Sequence, residues 1–345
     1  MNRSYHLDAL LQLALEALAP LGVEKLPLAQ ALGRTLAADA AALRDEPPLP
    51  LSPIDGYALR TADLDGARRN RPVELTLSRE MGPGLAVPVR AGDVLPQGCD
   101  AVVPLSDTNN CSPTLSVYRE LWPYDNFIRQ GAHFRAGELL LSAGTVLLPG
   151  ELCLLSATGH SCAPVRALPS ACVLSASGAA PTGALYLDGL LRRWGTESAG
   201  PDEARLLLLL GPHALPEGAR LLCPPIERSP MGLSALAERN GQLILFLSED
   251  PVELLLAASL LIRPILAALT GREDLELRRV GAALATPFPK ASPAGRLLTG
   301  RYEDGCVALP ALSPLRALAQ VNCIVELAPG TPALGAGAEV SVVLL

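Results

Sequence analysis

The sequence predicts a multidomain α/β plus β protein: a small β-domain, a reduced α/β domain and a C-terminal β-barrel-like domain. Three observations predict it. The 345 residues, 49% of them hydrophobic, exceed what one core usually fills, so two or more domains are expected. Two stretches, 49–134 and 275–345, consist of short apolar runs split by Gly, Pro, Asn and Asp, the pattern of strands and tight turns. Between them, 171–272 alternates apolar strand-like runs with helix-length patterns, as in a mostly parallel sheet covered by helices.

A helix is expected over 4–19, because Leu7, Leu10, Leu11, Ala14, Leu15 and Leu18 recur on one face and Pro20 follows. A second short helix is expected within 23–42, around Leu28, Leu32 and Leu36. Residues 45–50, Asp-Glu-Pro-Pro-Leu-Pro, form a rigid extended segment, since each Pro fixes φ and biases its predecessor away from helix. Strands follow at 73–77, 86–89, 101–105 and 115–118. Two more, 139–141 and 145–147, flank an Ala143-Gly144 turn, and a helix over 151–158 stops at Gly159. Then come a buried strand at 171–175, a helix near 186–194, and apolar strands at 206–210 and 243–247. The next helix, 251–270, carries Pro264, which should kink or break it. The tail alternates short strands with Gly/Pro turns.

The charge balance, 28 basic against 35 acidic residues for a net −7 and without a Lys/Arg block, argues against a duplex nucleic-acid partner. A small anion needs no such excess, because a few backbone N–H groups can hold one. The longest apolar stretch, 254–262, stops at Arg263, short of the roughly 20 residues that cross a bilayer, so no membrane partner is expected. Eight scattered cysteines without a C-x-x-C pair, and no basic-then-apolar leader over 1–20, read as free thiols in a cytoplasmic protein. Cys153, His160 and Cys162 leave a zinc site as the alternative.

An ordered set of motifs is more specific. Leu51-Ser52-Pro53-Ile54-Asp55-Gly56-Tyr57-Ala58 is preceded by Leu28-Ala29-Gln30-Ala31-Leu32-Gly33-Arg34 and followed by Leu95-Pro96-Gln97-Gly98-Cys99-Asp100-Ala101-Val102-Val103. Ala136-Gly137-Glu138, Ala143-Gly144-Thr145 and Glu151-Leu152 come next, and the tail carries Gly335-Ala336-Gly337-Ala338-Glu339-Val340. In order and spacing the chain resembles the MoeA family, the molybdopterin molybdenumtransferases, whose eukaryotic relative is the E-domain of gephyrin. The resemblance implies an elongated homodimer of four-domain subunits. The domains would be 1–48 with 135–170, 49–134, 171–272 and 273–345. It implies one step of molybdenum cofactor synthesis: adenylylated molybdopterin is bound, molybdate is inserted at its dithiolene, and AMP leaves, with Mg²⁺ required. The cleft would form between the α/β domain of one subunit and the β-domain of its partner.

Carried onto this sequence, the resemblance makes Asp55 and Asp107 candidate catalytic residues, with Asp55 also the metal ligand. Gly56, Tyr57, Ser177, Gly178, Gly211 and Arg296 become candidates for holding the cofactor. Read without the resemblance, Asp55 caps the turn before Gly56, which itself permits a close backbone approach. Asp100, Lys290 and Arg301 are further polar candidates.

Other motif positions depart from the family. Ala91-Gly92 replaces Thr-Gly, Ser106 stands at a Glu position, and Arg129-Gln130-Gly131-Ala132-His133 replaces Arg-Arg-Gly-Glu-Asp. His133 reads as an exposed loop residue or a substitute ligand. The first strand of the α/β domain should end in Ser-Thr-Gly-Asp-Glu but continues Ala176-Ser177-Gly178-Ala179-Ala180. The phosphate loop after 206–210 contains Pro212, which removes one N–H from such a cradle. A Lys-Pro-Gly-Lys-Pro motif has become Glu227-Arg228-Ser229-Pro230, and a Pro-Gly-Asn-Pro turn has become Ser248-Glu249-Asp250-Pro251. Acids thus stand where an anionic pterin would approach, a repulsion on the order of 1–4 kcal/mol at close range. Three functions are compatible with this. One is a working transferase with a degraded, reorganised site. Another is a non-catalytic dimeric scaffold that binds a cofactor-synthesis protein or a molybdoenzyme. The third is a carrier of molybdate or finished cofactor.

Overall fold

In the computed structural model, residues 7–19, 21–177, 182–223, 226, 231–293, 295–309 and 314–345 are described. The first apolar face makes helix α1, Leu7–Glu16, which buries Leu10 and Ala14. Residues 4–6 of the expected helix lie outside the described residues.

The expected second helix is a strand, Val23–Pro27, paired antiparallel with Cys162–Arg166. Only one 3-10 turn, Leu28–Gln30, follows it. The leucine spacing suggested a helical face, but Leu32 is 58% exposed while Leu36 is 1% exposed, so the face does not exist. Gly33 at φ 75° turns the chain out of helix immediately after Leu32. Helix α2, Pro149–Ala157, forms nearby, and the Glu151 side chain accepts from the Leu148 amide at its start. Gly159 ends this helical stretch at φ 101°, as the sequence predicts. Leu139–Leu141 is a strand, but 145–147 makes only an isolated bridge between Val146 and Thr35.

Six strands make the β-domain sheet, in the order Ala101–Pro104, Gly56–Leu59, Leu85–Val89, Val73–Leu77, Thr114–Val117, Thr108–Cys111. Apolar side chains pack on both of its faces.

A second six-stranded sheet runs Glu197–Ser198, Ser170–Ser175, Leu206–Leu210, Gln242–Leu247, Leu233–Arg239, Arg220–Leu221. The first four strands are parallel, Leu233–Arg239 runs opposite to them, and Arg220–Leu221 pairs antiparallel with it at the edge. The strand Leu233–Arg239 escaped the sequence reading because its polar Ser234, Glu238 and Arg239 broke the apolar run. Helix α3, Thr182–Arg193, crosses over this sheet. The chain leaves Ser170–Ser175, adds Glu197–Ser198 on one side, then returns to add Leu206–Leu210 on the other. The strand order therefore reverses between Ser170–Ser175 and Leu206–Leu210. In open α/β sheets that reversal opens a crevice at the carboxyl ends of the strands.

The stretch 251–270 is continuous rather than broken. It comprises α4, Pro251–Ala257, a π segment, Ala258–Ile262, and α5, Arg263–Thr270. The Arg263 amide bonds to the Ala258 carbonyl, a five-residue step. This widened turn lies just before Pro264 and accommodates a residue that would otherwise clash with the preceding turn. The helix spans 20 residues with mean hydropathy 2.0, long and apolar enough to cross a membrane by composition, although Arg263 interrupts it. It is 78% buried inside the protein, the position of a core helix.

The tail closes into a barrel of Arg278–Leu284, Cys306–Ala308, Arg296–Glu303, Cys323–Leu327 and Glu339–Leu344. A short helix, α6, Pro314–Ala317, lies within it in sequence. One apolar core joins α1, the α/β helices and sheet, and barrel residues Ile324 and Val343.

Candidate functional site

Three parallel strands end side by side at Ser175, Leu210 and Leu247. The residues that follow them build the crevice floor. The Ala176 amide bonds to the Leu210 carbonyl (2.9 Å) and the Gly211 amide to the Leu247 carbonyl (2.8 Å), so all three chains are held in register past the strand ends. Ser248 and Glu249 come next, and Asp250 caps α4 by accepting from the Val252 and Glu253 amides at 2.9 and 3.1 Å.

Glu249 turns its carboxylate into the crevice. Its Oε1 accepts from the Ser175 hydroxyl (2.8 Å), the Ser177 amide (3.0 Å) and the Ser177 hydroxyl (2.9 Å). Gly211, at φ 82°, leaves the space: a Cβ there would sit 3.1 Å from Glu249 Cδ and 3.2 Å from Ala176 Cβ. A small cavity of about 170 Å³ lies alongside, lined by Ser175, Ser177, Thr182, Gly183 and Glu249 among others. The Ser175 hydroxyl, the Ser177 amide and the Ser177 hydroxyl hold the Glu249 carboxyl below the usual glutamate range, with His213 adding to the effect and burial opposing it. Donors of this kind suit an oxyanion. Here they already hold a carboxylate.

Ser177 and Gly211 are therefore brought together as the sequence suggested, and Gly178 lies outside the described residues, as does 227–230. Of the two acids expected to face this site, Glu249 does so and Asp250 is spent on capping α4. Ser175 was missed. Its signal was a polar residue ending an apolar strand that feeds a crossover.

The β-domain candidates do different work. Asp55 is exposed, and its Oδ1 accepts from the Ala91 amide (2.9 Å), which ties down the Ala91-Gly92 turn instead of its own. Gly56 is required by packing. A Cβ there would lie 2.1 Å from the Val103 carbonyl oxygen, on the neighbouring strand rather than on a ligand. Tyr57 is buried in the sheet core, and its hydroxyl accepts from Asn110 (3.0 Å). Asp107 pairs with Arg119 at 3.3 Å. Asp100 accepts from the Thr61 amide and hydroxyl, both at 2.7 Å. Arg296 lies on the barrel, 5.9 Å over the Phe288 ring. His133 is exposed, in a loop anchored by Gln130 on Asp45 (2.8 Å).

The resemblance implies magnesium. Among the described residues, no group of three or more His, Cys, Asp or Glu side chains could hold a metal ion. Asp55 accepts from the Ala91 amide and Asp107 pairs with Arg119.

Comparison with known proteins gives three concordant findings. Residues 5–159 match the family model described as the MoeA N-terminal region, domain I and II. Molybdopterin molybdenumtransferase of Bacillus subtilis (strain 168) is 25% identical over 388 aligned positions, covering 93% of this chain and 90% of the relative. The same-named protein of Staphylococcus aureus (strain Mu50) is 23% identical, covering 92% and 90%. An alignment of 388 positions exceeds the 345 residues here, so the Bacillus relative carries segments that this chain lacks. Among solved structures, a molybdopterin biosynthesis moeA protein from Pyrococcus horikoshii OT3 superposes with a TM-score of 0.79 at 23% identity, covering 98% of this chain and 99% of that one. A second structure from that organism gives 0.83 at 21% identity, covering 98% of each chain. At these identities the superpositions speak for the fold.

Proposed function

The chain belongs to the MoeA family of molybdopterin molybdenumtransferases, and from that premise we propose that it serves molybdenum cofactor biosynthesis as a non-catalytic member. Its pterin-phosphate cradle is closed by its own carboxylate. One observation carries this reading: Glu249 takes the three donors, at 2.8–3.0 Å, that an incoming oxyanion would need. A substrate phosphate must displace a charge of its own sign that is already well bonded.

A homodimer belongs to the proposal. Asp55 and the Ser177–Glu249 cradle belong to different sheets, and the family cleft forms between such sheets of two subunits. Such a dimer offers a scaffold to a cofactor-synthesis protein or a molybdoenzyme. A cytoplasmic setting is supported by the eight cysteines, all of them free thiols.

One observation favours a second reading, a working transferase. Ser175 and Ser177 keep their donors, so a phosphate able to push Glu249 aside would find them in place. Calorimetric titration with adenylylated molybdopterin, with and without Mg²⁺, separates the two. The non-catalytic reading expects no saturable binding by the native protein, and gain of binding in Glu249→Ala. Tight Mg²⁺-dependent binding by the native protein, lost in Asp55→Ala, overturns it.

A further inference from the structure

At the other end of α3 from the cradle lies a larger cavity, about 360 Å³, between the end of that helix, the stretch 255–263 and the barrel. Its volume falls at the lower end of the range that binds small organic ligands, about 300–1,000 Å³. The walls are leucine and valine side chains together with the rings of Tyr186 and Trp194. Trp194 is 9% exposed, and its carbonyl is fixed by Arg272 Nη1 at 2.9 Å. The Tyr186 hydroxyl makes no hydrogen bond among the described residues.

The charges around this cavity do not balance. Arg193, Arg263 and Arg272 line it with one carboxylate, Asp274. Asp274 is fully engaged by the Arg272 fork, at 2.9 and 2.7 Å. Arg263 is 8% exposed and among the described residues its hydrogen bonds go to carbonyls alone: Leu344 at 3.1 Å, Asp274 at 3.1 Å and Glu276 at 3.3 Å. Its Nε is buried without a hydrogen-bond partner among the described residues. Arg193 is exposed at the rim and makes no ion pair among the described residues, since Asp188 pairs with Arg192 instead (2.9 Å). Three guanidinium groups against one carboxylate leave positive charge over. Placing guanidinium groups together without carboxylates costs free energy, and a bound anion removes that cost.

We infer that this cavity is a second ligand site, for a small organic anion whose apolar ring lies against Trp194 and Tyr186 and whose anionic head meets Arg193 and Arg263. The site is independent of the cradle. It lies at the carboxyl end of α3, whereas Thr182 and Gly183 at the amino end line the cradle cavity.

The test is titration of the full chain with phenyl phosphate, phenylacetate and the neutral benzyl alcohol, followed by calorimetry and by Trp194 fluorescence. Saturable binding of at least one anion is expected, about tenfold or more tighter than benzyl alcohol. Phenyl phosphate against phenylacetate decides which head group the arginines prefer. Arg193→Ala should weaken anion binding about tenfold while leaving the fold intact, because that side chain is exposed and makes no ion pair among the described residues. Leu190→Trp, which fills the cavity, should abolish binding, with far-UV circular dichroism as the check on folding. Equal affinity for the anions and the alcohol overturns the inference. So do an unchanged Arg193→Ala, a folded Leu190→Trp that still binds, or no saturable anion binding at millimolar concentration.

Discussion

A glutamate carboxylate bonded to two hydroxyls and an amide is stabilised in its ionised form, and the folded protein lowers the pKa of Glu249 for that reason. The sign of the consequence is fixed. The unfolded chain binds a proton near the ordinary glutamate value, about 4.3, before the folded chain does. The contribution to stability is therefore complete above that value and is lost as pH falls through the lowered folded pKa. Urea midpoints measured from neutral to strongly acidic pH should fall more steeply on the acid side for the native chain than for Glu249→Gln. Parallel acid limbs would show that the cradle bonds do not persist in solution. Gly56 makes a separate demand. Gly56→Ala forces a Cβ to within 2.1 Å of the Val103 carbonyl oxygen, so the neighbouring strand must move. A loss of about 3 kcal/mol is expected by equilibrium denaturation. The Asp55-Gly56-Tyr57 motif was legible as a motif. Its local work was not, because contacts such as Asn110 on Tyr57 and Ala91 on Asp55 join residues far apart in sequence.

Elements were read well where periodicity and punctuation agreed. The strand Leu206–Leu210 is buried throughout, and its unbroken leucine run announced it. Helix α2 was marked by its Glu151 near the start and Gly159 after the end. Reading failed where spacing alone was available, as at Leu28, Leu32 and Leu36, and where a strand carried polar residues, as at Leu233–Arg239. Pro264 was correctly seen as incompatible with a regular turn, but a sequence does not reveal that a π segment will absorb it. The cradle was half legible. Ser177, Gly211 and the acids were visible, while the choice of Glu249 over Asp250 was made by the helix start. Asp250 serves as the cap of α4 and cannot also face the crevice. Asp250→Ala should cost about 1 kcal/mol of stability through loss of the cap, read as a lower urea midpoint at unchanged slope. A cost near zero would mean that Glu249 or Ser248 can take over the two amides.

On the scale of the whole molecule, the α/β domain and the barrel are coupled through a buried cation. Arg263 stands in the π-to-α junction and donates to the Leu344 carbonyl of the last barrel strand and to the Asp274 and Glu276 carbonyls of the connecting segment. Burial lowers its pKa, Arg193 opposes its charge and Asp274 supports it. Around it, Ile324 and Val343 of the barrel belong to the same apolar core as α5 and α1. Shared core and shared hydrogen bonds make the two domains one cooperative unit, whereas the β-domain sheet has cores of its own. Trp194 is buried beside this junction and Trp122 is 80% exposed in the β-domain, so tryptophan emission reports mainly on the junction. The α/β domain and the barrel of the native chain should melt in a single calorimetric transition that coincides with the emission change. Arg263→Leu keeps the apolar stem but strands three carbonyls, and should cost on the order of 3 kcal/mol or more. It should also split the melt, with the emission change moving to the lower transition. A variant that still melts as one unit at a lower temperature would assign the coupling to Ile324 and Val343 alone, leaving the arginine as filler at that boundary.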